Sequence, residues 1–220
     1  SEEGFAYNFN YVYSGEQFKP GIGFVRRGGV QGFDSQLLYG WIPGENSTFF
    51  NYSVFVRAER YTRLGDGLLE SMSVQPGFEI NTKKNVHAEI GLEYMKEGVP
   101  EDFPISDSIL IHQGDYTFTG VEMRIGTSES KLISLRGDVS AGQFYDGQRY
   151  GFESEWLFNI SSSFNISAGY EFNALRFPDR PVNNSLDIHS LNARAVYMFS
   201  TKLSASMLVQ YVNTEDEMIA

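Results

Sequence analysis

The sequence predicts an all-β protein: an antiparallel up-and-down transmembrane β-barrel with about eleven strands present, forming part of a larger barrel. Three observations carry that prediction. Apolar or aromatic residues recur on every second position, as in Phe5, Tyr7, Phe9, Tyr11 and Tyr13. The alternating runs are long enough to cross a hydrocarbon layer, which takes about nine to eleven tilted residues against about five or six in soluble sheets. The connections between runs alternate between short and long, as they do at the two rims of an outer-membrane barrel. Because successive strand side chains point to opposite faces, each run describes a strand with one greasy face and one polar face.

The elements follow in order. Residues 4–14 carry the first aromatic run, and 30–42 end on Trp41. In 48–63, Tyr52, Val54, Val56 and Ala58 alternate with Arg57 and Glu59, and in 68–81 Met72, Val74 and Phe78 oppose Glu79. The run Val86, Ala88, Ile90, Leu92 and Tyr94 in 85–96 leaves His87, Glu89 and Glu93 on the other side. Spans 116–127 and 131–143 set Val121, Met123 and Ile125 against Glu122 and Arg124, and Ile133, Leu135 and Val139 against Arg136 and Asp138. Residues 150–160 hold Glu153 and Glu155 beside Trp156 and Phe158. In 163–175 Phe164, Ile166, Ala168, Tyr170 and Phe172 oppose Glu171, and in 188–199 Leu191, Ala193, Ala195, Tyr197 and Phe199 oppose Arg194. A last run spans 202–213.

Short reversals fall at 82–85, 128–130, 161–163 and 200–202, and longer segments at 16–29, 97–115, 144–149 and 177–187. The 63–67 connection is short where a long one is expected. Trp41, Phe49, Phe50, Phe78, Trp156, Phe158, Phe164, Tyr197 and Phe199 sit near strand ends and predict an aromatic girdle at the short-turn rim. A soluble sandwich or barrel, with the greasy face inward, is the alternative that periodicity alone leaves open.

No linker or low-complexity tract divides residues 1–220, so a single barrel domain or barrel fragment is expected. The net charge of −11 argues against a nucleic-acid partner, since phosphate binding needs a basic face. The absence of cysteine excludes disulfides and thiolate metal sites. A mean hydropathy of −0.28 suits a barrel whose strands give only alternate residues to lipid.

Thirteen charged residues are expected to line the lumen: Arg57, Glu59, Glu79, Glu89, Glu93, Glu122, Arg124, Arg136, Asp138, Glu153, Glu155, Glu171 and Arg194. Glu89 with Glu93 and Glu153 with Glu155 are paired carboxylates of the kind a glycosidase uses, but the arginines beside them point to a charge-balanced network. Candidates for binding in the external loops are Arg26, Arg27, His112, Asp115, Tyr145 and Asp146. The Arg26-Arg27 pair reads as a contact for lipopolysaccharide phosphate, as part of a loop folded into the acidic lumen, or as a solvated pair. His112 with Asp107 and Asp115 allows a hydrolase at the external rim, although neither Gly-x-Ser-x-Gly nor His-Glu-x-x-His occurs. No catalytic residue, metal site or cofactor is expected; Asp66-Gly67, Asp146-Gly147 and Gly114-Asp115 are turn chemistry.

Phe18-Lys19-Pro20-Gly21 with Gly23-Phe24-Val25-Arg26-Arg27, Gly114-Asp115-Tyr116-Thr117-Phe118, Gly142-Gln143-Phe144-Tyr145-Asp146-Gly147, Phe199-Ser200-Thr201-Lys202-Leu203 and Leu208-Val209-Gln210-Tyr211 follow one another along most of the chain. Together they resemble the C-terminal β-barrel domain of Gram-negative outer-membrane proteins of unassigned function that usually carry an N-terminal module similar to family-9 carbohydrate-binding domains. The sequence departs from that pattern in lacking the module, so no sugar-binding residue is carried over, and in ending on Thr214-Glu215-Asp216-Glu217-Met218-Ile219-Ala220. The resemblance implies location in the cell outer membrane, contact with its lipid and lipopolysaccharide, and a link to carbohydrate solutes. The expected function is a non-enzymatic channel or transporter for small solutes. The alternative is a non-transporting barrel that anchors a surface binding module or a protein complex, and remaining barrel strands are the expected partners.

Overall fold

The computed structural model describes residues 3–15, 29–106 and 109–213, together with the backbone of 217–219. Eleven long strands of 10 to 16 residues dominate it. They are β1 (Gly4–Ser14), β2 (Val30–Trp41), β3 (Phe49–Arg63), β4 (Leu69–Thr82), β5 (His87–Val99), β8 (Gly114–Gly126), β9 (Ile133–Phe144), β10 (Gly147–Ser161), β11 (Phe164–Arg176), β12 (Ser185–Ser200) and β13 (Leu203–Val212). A short hairpin, β6 (Phe103–Ser106) and β7 (Ile109–Ile111), interrupts the series, and β14 (Glu217–Ile219) follows it.

Every long strand pairs antiparallel with the next in a single sheet, in the order β1-β2-β3-β4-β5-β8-β9-β10-β11-β12-β13-β14. This is an up-and-down meander, and the sheet is open: among the described residues β1 has no second partner, and β13 meets β14 only at Gln210, Tyr211 and Val212. The eleven long strands correspond one to one with the eleven alternating runs.

Register turns eleven separate alternations into two continuous faces. One row joins Tyr39, Val54, Phe78, Ile90, Met123, Val139, Phe152 and Phe172 across eight strands. The row on the opposite face, one residue away on each strand, joins Ser53, Glu79, Glu89, Arg124, Asp138, Glu153, Glu171 and Ser190. A one-residue slip of any strand from β2 to β5 or from β8 to β11 would place a carboxylate among the apolar side chains, so the pattern itself fixes the pairing there.

The apolar face is not covered by the chain. Tyr7 is 76% exposed, Leu92 59%, Met123 54% and Met207 64%. A row of ring contacts runs along its short-turn end, with Trp41 4.7 Å from Tyr39 and 5.4 Å from Tyr52, and Tyr197 5.9 Å from Phe164 and 4.7 Å from Phe199. A second set of exposed aromatics, Tyr11, Tyr13, Tyr94 and Tyr150, stands toward the other end. The eight steps from Phe5 to Tyr13 span about 26 Å along the strand at about 3.3 Å each.

Several strands run further than their alternation predicts. β5 extends to Val99, β8 starts at Gly114, β10 at Gly147 and β12 at Ser185. The expected long segment 144–149 is therefore a two-residue turn, Tyr145-Asp146, closed by the Phe144–Gly147 pair. The extensions hold Glu97, Gly98, Asp115, Gln148 and Arg149, which are polar or small on both faces, so periodicity gives no signal there. The difference in loop size between the two ends now rests on residues 100–113 and 177–184, while segment 16–28 lies outside the described residues.

The buried core is small and lies at the long-loop end of the polar face. Ile109, Ile111, Leu175 and Phe177 are fully or almost fully buried, with Phe103, Ile105, Tyr116, Phe144, Tyr145 and Leu186 packed around them. The β6–β7 hairpin is thus folded onto the sheet. Inward folding is one expectation for the loop bearing Arg26 and Arg27, which lies outside the described residues; the described segments that pack onto this face are 103–106 and 109–111.

Candidate functional site

All thirteen charged residues expected in a lumen lie on the polar face, and the register explains how. Arg57 and Glu59 alternate with Val56 and Ala58 on β3; Glu122 and Arg124 alternate with Val121 and Met123 on β8; the others repeat this on β4, β5 and β9 to β12. Charges of both signs form a network across the strands. Arg57 holds Glu89 with two hydrogen bonds, at 2.7 and 3.0 Å. Its guanidinium also lies 4.0 Å above the Phe55 ring, and Phe55 in turn occupies the space over Gly77, where a β-carbon would meet the ring. Arg124 reaches Glu122 at 2.6 Å, Asp138 at 2.9 Å and Glu89 at 3.6 Å. Arg136 meets Glu129 and Glu155, each at 3.3 Å.

Not every member joins this network. Glu79 accepts from Asn81 at 2.7 Å and Glu171 from Asn173 at 2.6 Å. Glu59, Glu93, Glu153 and Arg194 make no ion pair or side-chain hydrogen bond among the described residues. An open trough of about 380 Å³ is lined by Glu122, Arg124, Arg136, Asp138, Glu153 and Glu171, and its acids outnumber its bases.

The external candidates are divided. Arg26 and Arg27 lie outside the described residues, as does Asp107. His112 is brought to Asp102, with Nδ1 at 3.0 Å from Oδ2, and not to Asp115, which stands on β8 opposite Gly98. Asp102 also accepts the Gln113 backbone N–H at 2.7 Å, and that bond, then His112, holds its carboxyl below the ordinary range. Tyr145 and Asp146 form the β9–β10 turn. The Tyr145 ring meets those of Phe144, Tyr116 and Phe118 edge-on at 4.7 to 5.1 Å. Its hydroxyl donates to Glu97 at 3.2 Å; burial and that neighbouring carboxylate push the phenol well above its ordinary range. Asp146 is gripped by Arg180 through two bonds of 2.6 Å, which hold its carboxyl low.

His87 and His189, the remaining histidines, are separate. His87 Nδ1 lies 3.0 Å from Asn81 on the polar face, whereas His189 stands on the apolar face with Nδ1 2.9 Å from the Tyr170 hydroxyl. Among the described residues no three potential metal ligands converge.

Four residues escape the sequence reading: Gln75, Glu97 and Arg149 on this face, and Arg180 in the connection between β11 and β12. Gln75 bridges Arg57 and Glu122 at 3.3 Å each. Arg149 could have been found, since it continues the odd-numbered polar series Gly151, Glu153, Glu155 one step outward. Arg180 could not, because its partner across 34 residues is set by the fold.

Comparison with protein-family models, curated proteins and solved structures found no match for this chain.

Proposed function

We propose that the chain forms wall strands of an outer-membrane β-barrel that serves as a channel or transporter for small solutes. The observation that carries this reading is the pair of continuous faces. An apolar face left bare across eleven long strands calls for a hydrocarbon solvent, and exposed apolar area of that extent is rare on soluble monomers. The opposite face then borders water, and its excess of carboxylates favours cationic or neutral solutes over anions. The open sheet edges leave room for further strands. The resemblance to barrels that usually accompany a carbohydrate-binding-like module supports carbohydrate-derived solutes as cargo.

A second reading draws on the β6–β7 hairpin, which covers the long-loop end of the polar face with a well-packed core. That arrangement suits a non-transporting barrel that anchors a binding module or a protein complex. Conductance of the full-length, correctly folded protein in planar bilayers separates the two. Discrete, cation-preferring current is the expected result, and its absence would leave the anchor.

A further inference from the structure

Near the hairpin, the polar face is interrupted by a notch. One register row runs Glu93 on β5, Gly120 on β8, Gly142 on β9 and Arg149 on β10. The middle two positions carry no side chain, and Gly142 admits none: a β-carbon there would stand 2.6 Å from the Thr119 carbonyl oxygen and 2.7 Å from the Gly120 Cα. Two opposite charges therefore face each other across a bare floor, their backbones about 14 Å apart at about 4.8 Å per strand spacing. The cavity over this floor has a volume of about 480 Å³, and Phe118, Phe144 and Tyr145 border its outer side.

Both charges leave bonding capacity unused, and Glu97 and Glu122 stand on the same cavity wall. Glu93 forms no ion pair or hydrogen bond among the described residues, although Arg149 is close enough for the charges to interact. Arg149 spends only its Nε, which donates to Asn173 Oδ1 at 2.9 Å, while Asn173 Nδ2 donates to Glu171 at 2.6 Å. That chain orients the guanidinium and leaves its two terminal nitrogens without partners among the described residues. A guanidinium fork so presented matches a carboxylate, and an unpaired carboxylate matches an ammonium.

We propose that this notch binds a small zwitterion, with its ammonium toward Glu93, its carboxylate toward Arg149 and an apolar or aromatic substituent against Phe118 and Phe144. The volume lies in the range of small-molecule sites, and the mixture of an aromatic border with a few placed charges is what such sites use. A sugar would leave both charges unpaired, and a simple cation would leave Arg149 opposing it. The inference rests on the polar face bordering an aqueous lumen, and it gives this notch a ligand class of its own, distinct from the carbohydrate cargo that the resemblance supports.

The test is titration calorimetry on the full-length protein folded in detergent micelles, with phenylalanine, phenylalaninamide, N-acetylphenylalanine and glucose as probes. Phenylalanine is expected to bind at least about tenfold more tightly than the other three. Glu93→Gln should erase the preference over N-acetylphenylalanine, and Arg149→Gln the preference over phenylalaninamide, with the backbone amide spectrum unchanged. Equal affinity for all four probes, or no saturation by phenylalanine below about 10 mM, would overturn the proposal without any variant having to fold. Binding in micelles does not depend on conduction. A protein that conducts without discriminating contradicts only this site, and one that discriminates without conducting contradicts only the channel.

Discussion

At the scale of single residues, burial decides which ion pairs matter. The Glu89 side chain is 8% exposed, and its two bonds from Arg57 compensate a carboxylate that water barely reaches. Arg57→Ala leaves Glu89 with only Arg124 at 3.6 Å, and we expect a loss of about 2 kcal/mol in urea unfolding from lipid vesicles. Arg136→Ala removes two bridges that stand in solvent, and the expected loss is under about 1 kcal/mol. The Asp146–Arg180 pair adds a pH dependence. Arg180 lowers the Asp146 pKa beneath the ordinary value of 3.8, so the pair contributes fully above that value and its contribution is lost as pH falls through the lowered one. Amide exchange in residues 177–184 should therefore slow on acidification below about pH 4 by less than base-catalysed exchange predicts, and Asp146→Asn should remove the difference. Tyr145 is a different case: a bulky residue at φ 51°, in the left-handed region that glycine or asparagine usually occupies. Its ring contacts and the Glu97 bond hold it there.

At the scale of elements, the β6–β7 hairpin is the part of the fold with its own core. Ile111 is fully buried against Phe177 and Leu175, so Ile111→Ala should cost about 3 kcal/mol locally. We expect exchange protection of the amides in β6 and β7 to fall by about a hundredfold while β8 to β12 stay protected. The hairpin was not legible in the sequence. Phe103-Pro104-Ile105-Ser106 and Ile109-Leu110-Ile111 are too short for a period to register, and their burial comes from Leu175, Phe177 and Leu186, more than sixty residues away. The long strands were legible because each of their faces keeps one chemical character along most of its length. Their outer ends were not, because Glu97, Gly98, Gln148 and Arg149 lie beyond the alternating stretch; Arg149 was missed at such an end. The thirteen charged positions were readable for the same reason as the strands, since a two-residue period assigns the face. Which of them pair, and which stay free as Glu93 does, is set by register and side-chain reach between strands.

At the scale of the whole molecule, the account rests on which face meets hydrocarbon. A row that joins Met123 to Ile90 and Val139 lies near the middle of the apolar face, whereas Ser140 borders the charged trough. Met123→Arg should destabilise the protein in vesicles by about 2 to 4 kcal/mol, and Ser140→Arg by far less. The most direct measurement uses the absence of cysteine, which lets each single-cysteine variant report one position. Residues 121 to 125 of β8, replaced one at a time and labelled with an environment-sensitive fluorophore in vesicles, should alternate with a period of two. Positions 121, 123 and 125 should be quenched by lipid-borne quenchers, and 122 and 124 by aqueous ones. Uniform aqueous quenching, or a protein that folds and stays monodisperse without detergent or lipid, would contradict the account.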